Sequence, residues 1–295
     1  MGMTIIFDGR AQAESELEIL KQRVAASGRV ISIGSFYFGQ DKASGLYTTI
    51  KRRAAQRVGI EFMAWERDLG EDWQVTQAAI QAAVEEKNAI GIIVQKPTKK
   101  CYNDYFLSIG KQPALDYDEW WRKLVTVIPV ERDVDALSEK VQAMIRRGEE
   151  VKVLPATVRA VLKCLADVDV VGQKVLIIGK SDLLGEPLYW WGRNHGWEVE
   201  IVGKQDLRRL LAKKEQLRAY RVIVSATGQR GLIRREMIAD GVILVDVGEP
   251  HGDVDRASCE GKAAMITPVP GGVGPLTVVS LLENSLICSE LDGEL

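Results

Sequence analysis

The hydrophobic positions of this chain alternate between short continuous apolar runs and longer stretches in which apolar residues recur at helical spacing. The apolar runs predict strands at 29–33, 60–64, 90–95, 175–178, 197–202, 221–225 and 242–246. Those at 90–95 and 175–178 have the character of buried strands. Stretches with helical character lie between them, at 13–27, 44–58, 74–87, 186–194 and 206–219. Because strands that alternate with helices form βαβ units, the pattern predicts an α/β protein with parallel sheets.

The alternation is interrupted once and then resumes, which predicts two domains. Residues 97–115 carry two prolines and a Cys-Tyr-Asn-Asp-Tyr segment, and we interpret them as an inserted surface loop with room for a short helix. Further helices are predicted at 118–127, 136–147, 155–165 and 278–288. We predict an N-terminal α/β catalytic domain over 1–152, completed by the C-terminal helix 277–295. A Rossmann-type nucleotide-binding domain is predicted over 153–276.

Composition excludes several classes of function. The chain has 295 residues and a net charge of −2, with acidic and basic residues mixed along its length, so a nucleic-acid partner is not expected. No apolar run reaches the roughly 20 residues of a membrane span, and the N-terminus lacks a signal-peptide pattern. Four separated cysteines and two histidines predict neither disulfides nor a metal site. We expect a cytoplasmic protein without a metal or membrane partner.

A glycine turn between a strand and a helix is the first candidate binding element. The run Val175–Ile178 ends at Gly179, and Gly185 and Pro187 follow at the expected start of a helix, where proline is favoured. Such a turn aims backbone N–H groups and a helix N-terminus at a phosphate. Since the spacing is not G-x-G-x-x-G, a plain strand-to-helix turn is about as well supported by these residues alone.

Three further positions are candidates for acid–base chemistry. Tyr47 and Lys51 are four residues apart on a predicted helix, so they share one face, and a shielded lysine can be tuned for proton transfer. Gln95 ends a predicted buried strand, where parallel sheets usually place ligands. Asp133 and Asp135 lie two residues apart in a predicted loop, and we expect one to bind a ligand and the other to fix the loop. An exposed lysine, a strand cap and an acidic loop are the structural alternatives.

The segment Pro268–Pro275 contains three prolines and three glycines in eight positions. Proline stiffens the chain and glycine permits close backbone approach, so this composition favours a loop that lines a ligand over a plain connector.

Six segments in chain order resemble known motifs: Ala43–Lys51 (A-S-x-x-Y-x-x-x-K), Gly91–Pro97 (G-I-L-V-Q-L-P), Arg132–Asp135 (K-D-V-D), Gly179–Pro187 (G-R-S-x-x-V-G-x-P), Val245–Gly248 (I-D-V-G) and Ile266–Thr277 (I-T-P-V-P-G-G-V-G-P-M-T). Together they resemble the FolD family of bifunctional methylenetetrahydrofolate dehydrogenase/methenyltetrahydrofolate cyclohydrolases. The resemblance runs from Phe7 to Asn284, nearly the whole chain.

The resemblance implies a folate substrate in a cleft between two domains. Tyr47 would pack against the folate, Lys51 would be the key catalytic group, Gln95 would hold and tune Lys51, and Asp135 would anchor the pterin. Pro270, Gly271 and Gly272 would line the substrate. The implied reaction oxidises 5,10-methylenetetrahydrofolate to the methenyl cation and then hydrolyses it to 10-formyltetrahydrofolate, and neither step requires a metal.

The resemblance also implies a nicotinamide cofactor and a homodimer. The residues implied to hold the cofactor are Gly179, Lys180, Ser181, Gly185, Pro187, Lys204, Gly228 and Thr277. Lys180 stands where the family has arginine, and the second strand of the domain ends at Lys204. Two lysines with no evident acid predict NADP rather than NAD, because a base is suited to the 2′-phosphate.

Several residues depart from the family pattern. They are Pro155–Val158 for P-C-T-P, Ala136 for glycine, Lys96 for leucine, Glu249–Pro250 for I-N, and the 97–115 insertion. We expect Lys96 to lower the pKa of Lys51 by its nearby charge, or to alter substrate fit. The insertion lysines Lys99, Lys100 and Lys111 are expected to meet the glutamate tail of folate.

Three alternative functions follow from these departures and from the fold. One is a dehydrogenase without cyclohydrolase activity, and another is a non-catalytic folate or nucleotide sensor on the same fold. The third is an NAD(P)-dependent enzyme for a different substrate, since a fold alone does not decide chemistry. The joint presence of Tyr47, Lys51, Gln95 and Asp135 counts against the sensor, and Pro268–Pro275 counts against the third.

Overall fold

The computed structural model describes residues 3–85, 89–212 and 216–292, apart from the side chains at 204, 208, 212, 216 and 292. Strands β1 to β9 occupy Ile5–Ile6, Ser32–Phe38, Glu61–Arg67, Gly91–Val94, Lys174–Ile178, Glu198–Val202, Val222–Ser225, Ile243–Asp246 and Met265–Ile266. Helices α1 to α11 occupy Gly9–Ser27, Lys42–Val58, Trp73–Glu85, Lys99–Ser108, Tyr117–Val125, Glu139–Arg147, Ala156–Cys164, Gly185–Asn194, Lys204–Ala212, Arg256–Cys259 and Val273–Asp292. Within these ranges every helix is too short or too polar to cross a lipid bilayer.

The chain divides into two compact units, each built around one parallel sheet. The six-stranded unit comprises Met1–Ser15, Met144–Glu150 and Pro155–Ser280, and the three-stranded unit comprises Glu16–Ala143, Val151–Leu154 and Leu281–Leu295. The predicted α/β architecture and its parallel sheets are confirmed.

The six-stranded sheet has the order β1-β9-β8-β7-β5-β6, and every pair is parallel. The inner strands β7 and β8 are buried at every position, in keeping with their continuous apolar sequences. β6 lies at the edge of the sheet, and the burial of its residues alternates. Because the strands are parallel, the carboxyl ends of β5, β7 and β8 lie along one edge of the sheet.

The three-stranded sheet has the order β3-β2-β4, again all parallel. One face of β2 carries Phe36 and Phe38, which belong to a core cluster with residues of α3, α4 and α5. Since side chains alternate along a strand, Ser35 lies on the opposite face. Helix α2 packs against β2 and β3. It begins at Lys42, two residues before the predicted range 44–58, with Asp41 as its N-cap, and it ends as predicted, with Gly59 in the left-handed conformation.

Two parts of the architecture differ from the sequence-based expectation. The two-residue strand β1 pairs with β9, which places the first residues of the chain in the six-stranded unit rather than in the predicted domain 1–152. A strand of two residues has no periodicity to detect, and its partner is more than 250 residues away. The segment 97–115 forms α4, and its Tyr102 is buried in the core, so it is not only a surface loop.

Candidate functional site

Lys51 is a buried lysine on helix α2. Its spacing from Ser44, Thr48 and Val58 places it on the inward face of the helix, and only 9% of its surface is exposed. Burial lowers the pKa of Lys51 because the charged ammonium loses its water, and the carboxylate of Asp135 partly opposes that lowering. The Nζ atom lies 3.9 Å from Asp135 Oδ2. Lys51 is therefore suited to donate and accept a proton. Tyr47, one turn earlier, is half-buried.

Asp133 and Asp135 have different partners, because the chain turns between them. The buried carboxylate of Asp133 accepts hydrogen bonds from the N–H groups of Leu137 at 3.2 Å and Ser138 at 2.7 Å. Burial raises the pKa of Asp133 to about 6. Asp133 therefore stabilises the loop through buried hydrogen bonds, while the carboxylate of Asp135 lies near the ammonium of Lys51.

Ala136 and Asn284 also contribute to the conformation of this loop, and the sequence alone gives little indication of either role. Ala136 adopts a positive φ of 54°, which explains why the family pattern has glycine there. Asn284 of α11 donates through Nδ2 to the carbonyls of Val134 and Leu154, each at 2.8 Å. The C-terminal helix therefore supports the turn that carries Asp135, which no local pattern predicts.

Gln95 follows the last residue of β4 and is buried. Its backbone N–H donates to the carbonyl of Phe36 at 2.7 Å, but its side-chain Nε2 has no hydrogen-bond partner among the described residues. The hydroxyls of Ser35 and Thr48 are likewise buried without one. Buried polar groups are nearly always paired, so these three atoms indicate hydrogen-bonding capacity for a ligand or for water.

Lys96 has a different environment from the one predicted. Its ammonium lies 5.0 Å from the ring centroid of Trp121 and 5.4 Å from that of Tyr117, both on α5, in cation–π geometry. The hydroxyl of Tyr117 also donates to the carbonyl of Pro97 at 2.6 Å. The lowered pKa of Lys51 arises first from burial, and the charge of Lys96 is not needed to explain it.

We expect Lys96→Met to leave the pH dependence of the Lys51 chemistry in place. The apparent pKa in the pH–rate profile of the hydrolysis that the resemblance implies should move by less than about 0.3 unit, because burial sets it. A rise of about one unit in the variant would show that Lys96 does depress Lys51 through its charge.

Two of the three lysines of the insertion, Lys99 and Lys100, are paired with nearby carboxylates. Lys99 Nζ lies 2.7 Å from Asp118 Oδ2, and Lys100 pairs with Asp104 one helical turn away. All four side chains are exposed, so these pairs are weak and could exchange for another anion. The predicted contact with a glutamate tail stays a prediction.

The glycine turn has the tight geometry of a phosphate-binding turn. Gly179 has a φ of 120°, and a Cβ at Gly185 would lie 1.8 Å from the carbonyl oxygen of Gly179. Ser181 Oγ accepts hydrogen bonds from the N–H groups of Leu184 and Gly185, and Pro187 lies in the first turn of α8. The turn therefore brings the start of α8 against the end of β5, as a phosphate-binding turn requires.

Lys180 has a neighbour that the sequence did not reveal. Its Nζ lies 3.4 Å from Asp206 Oδ2, and both side chains are about half exposed. Asp206 lies in the first turn of α9, two residues beyond the expected position for an acid at the end of β6. The side chain of Lys204, the second predicted base, lies outside the described residues.

The loops that follow β7, β8 and β9 meet at the same edge of the sheet. Gly228 has a φ of 67°, and a Cβ there would lie 2.4 Å from the carbonyl oxygen of Glu249. In the loop after β9, Gly272 lies against Gly9, and a Cβ added at Gly9 would be 1.9 Å from the carbonyl oxygen of Gly272. Pro270 follows a cis peptide bond and Gly271 has a φ of 108°. Only glycine fits at positions 9 and 228, because a Cβ at either position would overlap with a backbone oxygen.

The predicted residues fall into two groups, one in each unit. Tyr47, Lys51, Gln95 and Asp135 belong to the three-stranded unit, whereas the glycine turn and the 268–275 loop belong to the six-stranded unit. Thr277 also belongs to the latter, where its hydroxyl donates to the carbonyl of Val273 at 3.3 Å.

Two family descriptions match the sequence. Residues 155–292 match "Tetrahydrofolate dehydrogenase/cyclohydrolase, NAD(P)-binding domain", and residues 7–110 match "Tetrahydrofolate dehydrogenase/cyclohydrolase, catalytic domain". The chain is also similar to proteins named "Bifunctional protein FolD". That of Methanosarcina barkeri is 31% identical and covers 97% of this chain and 96% of its own. That of Mycoplasmopsis synoviae is 30% identical, with 95% and 97% covered.

Solved structures show the same similarity. The Trypanosoma brucei N5,N10-methylenetetrahydrofolate dehydrogenase-cyclohydrolase (FolD), complexed with NADP cofactor and inhibitor, gives a TM-score of 0.86 at 28% identity, over 100% of both chains. The bifunctional enzyme FolD of Campylobacter jejuni gives a TM-score of 0.82 at 28% identity, over 98% of this chain and 99% of its own.

Proposed function

The chain belongs to the tetrahydrofolate dehydrogenase/cyclohydrolase family, and from this premise we propose a two-step reaction. The protein oxidises 5,10-methylenetetrahydrofolate to 5,10-methenyltetrahydrofolate with NADP and then hydrolyses that product to 10-formyltetrahydrofolate. Both steps act on one carbon of the folate, so one folate site serves both.

The observation that carries this proposal is the buried Lys51 with its lowered pKa beside Asp135. Water that adds to the methenyl carbon must lose a proton, and the ring nitrogen that leaves must gain one. A lysine with a lowered pKa releases its proton more readily than an exposed lysine does, so it is better suited to both transfers. A sensor has no need of such a group.

The polar groups around Lys51 support a folate as the ligand. The unpaired Nε2 of Gln95 and the unpaired hydroxyl of Thr48 supply hydrogen-bonding capacity for a polar heterocycle or its attacking water. Asp135 is an acceptor for the N–H groups of a pterin, and Tyr47 offers a ring for stacking. In this proposal Asp135 anchors the substrate and also moderates the pKa of Lys51.

The edge of the six-stranded sheet fits a nicotinamide dinucleotide. A Cβ at Gly179, Gly185 or Gly228 would fill the space next to a neighbouring carbonyl, so these positions permit close backbone approach. Lys180 can bind the 2′-phosphate that distinguishes NADP from NAD. The phosphate would then replace the carboxylate of Asp206 as the ion-pair partner of Lys180. NADP bound there supplies the hydride acceptor of the first step.

We expect Lys180→Met to raise the KM for NADP by about tenfold and to leave the KM for NAD within about twofold, since only NADP carries the 2′-phosphate. The matched control is Lys174→Met, which removes an exposed lysine at the start of β5 in the same unit. Equal changes for both cofactors would refute the assignment, and a wild-type KM lower for NAD than for NADP would overturn the choice of NADP.

The direct test of the proposed function is reduction of NADP by purified protein in the presence of 5,10-methylenetetrahydrofolate. NADPH formation that requires both compounds supports the proposal. Absence of NADPH and of NADH with either cofactor would refute it. The homodimer and the cytoplasmic location stay predictions that rest on the resemblance.

A further inference from the structure

A buried carboxylate joins the loops at the carboxyl edge of the six-stranded sheet. Asp253 has no exposed surface and lies in the loop between β8 and α10. Its Oδ2 accepts hydrogen bonds from the hydroxyl of Ser225 at 2.6 Å and from Thr227, through N–H at 2.7 Å and Oγ1 at 2.9 Å. Its Oδ1 accepts from the N–H of Gln229 at 2.8 Å. All these donors belong to the end of β7 or to the loop that follows it.

These hydrogen bonds bracket Gly228. Thr227 and Gln229 are both bound to the same carboxylate, so the backbone of Gly228 between them is fixed in its left-handed conformation. A Cβ at Gly228 would clash with the carbonyl of Glu249, which shows that the loops after β7 and β8 are packed directly on each other. A carboxylate that accepts several backbone N–H groups is a strong and rigid anchor.

Asp253 is itself held by a second buried carboxylate. Asp246, the last residue of β8, accepts from the N–H of Asp253 at 3.0 Å, and also from those of Gly248 and Val254. The N–H of Asp246 in turn donates to the hydroxyl of Thr267, which begins the loop after β9. One network therefore connects the loops after β7, β8 and β9.

We propose that Asp253 is a positioning residue for the cofactor, which sets the backbone of Gly228 through Thr227 and Gln229. This inference rests on the proposed function, in which the edge of the six-stranded sheet binds NADP. Asp253 itself is buried away from solvent and does not contact the cofactor. Its effect should therefore fall on the cofactor and not on the folate.

Asp253→Asn tests the proposal, because the amide NH₂ cannot accept the hydrogen bonds that one carboxylate oxygen accepts. We expect the KM and the Kd for NADP to rise by about tenfold or more, and the KM for methylenetetrahydrofolate to stay within about twofold. Thr227→Val removes one donor to Asp253 and a long hydrogen bond from the Gln229 N–H at a half-buried site, and should raise the KM for NADP by about threefold without unfolding the protein. Asp255→Asn is the matched control, since asparagine also caps α10.

Calorimetric titration with NADP separates this inference from the proposed function. If wild type binds NADP but does not reduce it with the folate, the proposed function fails while the comparison of Kd values still tests Asp253. The inference is overturned if Thr227→Val binds NADP as wild type does. It is also overturned if Asp253→Asn raises both KM values equally, because that result indicates general loss of structure.

Discussion

Lys51→Met is expected to lower the rate of hydrolysis of the methenyl intermediate by a factor of about 10² to 10⁴, because positioned proton transfer contributes rate enhancements of that size. Burial lowers the pKa of Lys51, so wild type can hold and release the proton that hydrolysis moves. Methionine has a similar length and no titratable group. Oxidation of methylenetetrahydrofolate needs no proton transfer from Lys51, so the variant should accumulate methenyltetrahydrofolate or, if substrate binding also fails, become inactive.

Two further variants show whether hydrolysis depends on proton transfer by Lys51 or only on its positive charge. Lys51→Arg keeps the charge but does not release a proton at any relevant pH, so it too should lack hydrolysis. Lys42→Met removes an exposed lysine at the start of the same helix and should hydrolyse as wild type does. Hydrolysis by Lys51→Met at the wild-type rate would exclude Lys51 from this step.

Lys51→Met should also raise the melting temperature of the protein. A lowered pKa means that the unfolded chain binds a proton at Lys51 more readily than the native protein does. Stability therefore increases with pH between the folded pKa and the unfolded value near 10.4, and at lower pH the buried charge is unfavourable. Methionine removes that penalty. Thermal unfolding of both proteins at two pH values measures the effect, which should be larger at the lower pH.

Gly185→Ala is expected to weaken NADP binding by about 100-fold, because a shift of about 1 Å in a binding element can have an effect of that size. The added Cβ would lie 1.8 Å from the carbonyl oxygen of Gly179 and 3.3 Å from the Cα of Lys180. Both atoms are backbone, so the glycine turn must open to admit the methyl group. The Kd for NADP is measured by calorimetry.

Gly45→Ala is the matched control for this substitution. Outside its own helix, its Cβ would have one neighbour among the described residues, a ring carbon of Tyr37 at 4.0 Å. Gly45 lies inside α2, where alanine is favoured over glycine by about 1 kcal/mol. This variant should bind NADP as wild type does and should be at least as stable. Unchanged NADP affinity in Gly185→Ala would contradict the assignment of the glycine turn to the cofactor.

The sequence predicted the parts of this molecule that depend on local pattern. Short apolar runs indicated the strands β5, β7 and β8, and residue type indicated the turn at Gly179. The i to i+4 spacing of Tyr47 and Lys51 correctly indicated one helix face. In each case the information lies within about ten residues of the feature.

The features that sequence reasoning missed depend on contacts between distant parts of the chain. Strand β1 is recognisable only through its pairing with β9. The position of Lys96 depends on rings supplied by α5, more than 20 residues away. Asp253 gains its role from donors about 25 residues earlier in the chain. No spacing rule connects such positions, so a residue's sequence neighbours do not reveal its partners.

The central claim is that this chain catalyses both oxidation and hydrolysis. The most direct test follows NADPH and methenyltetrahydrofolate together by absorbance after purified protein is mixed with 5,10-methylenetetrahydrofolate and NADP. We predict that NADPH forms without build-up of the methenyl compound, because hydrolysis consumes it as it appears. Methenyltetrahydrofolate that accumulates and decays no faster than in buffer would contradict the claim and leave a dehydrogenase alone.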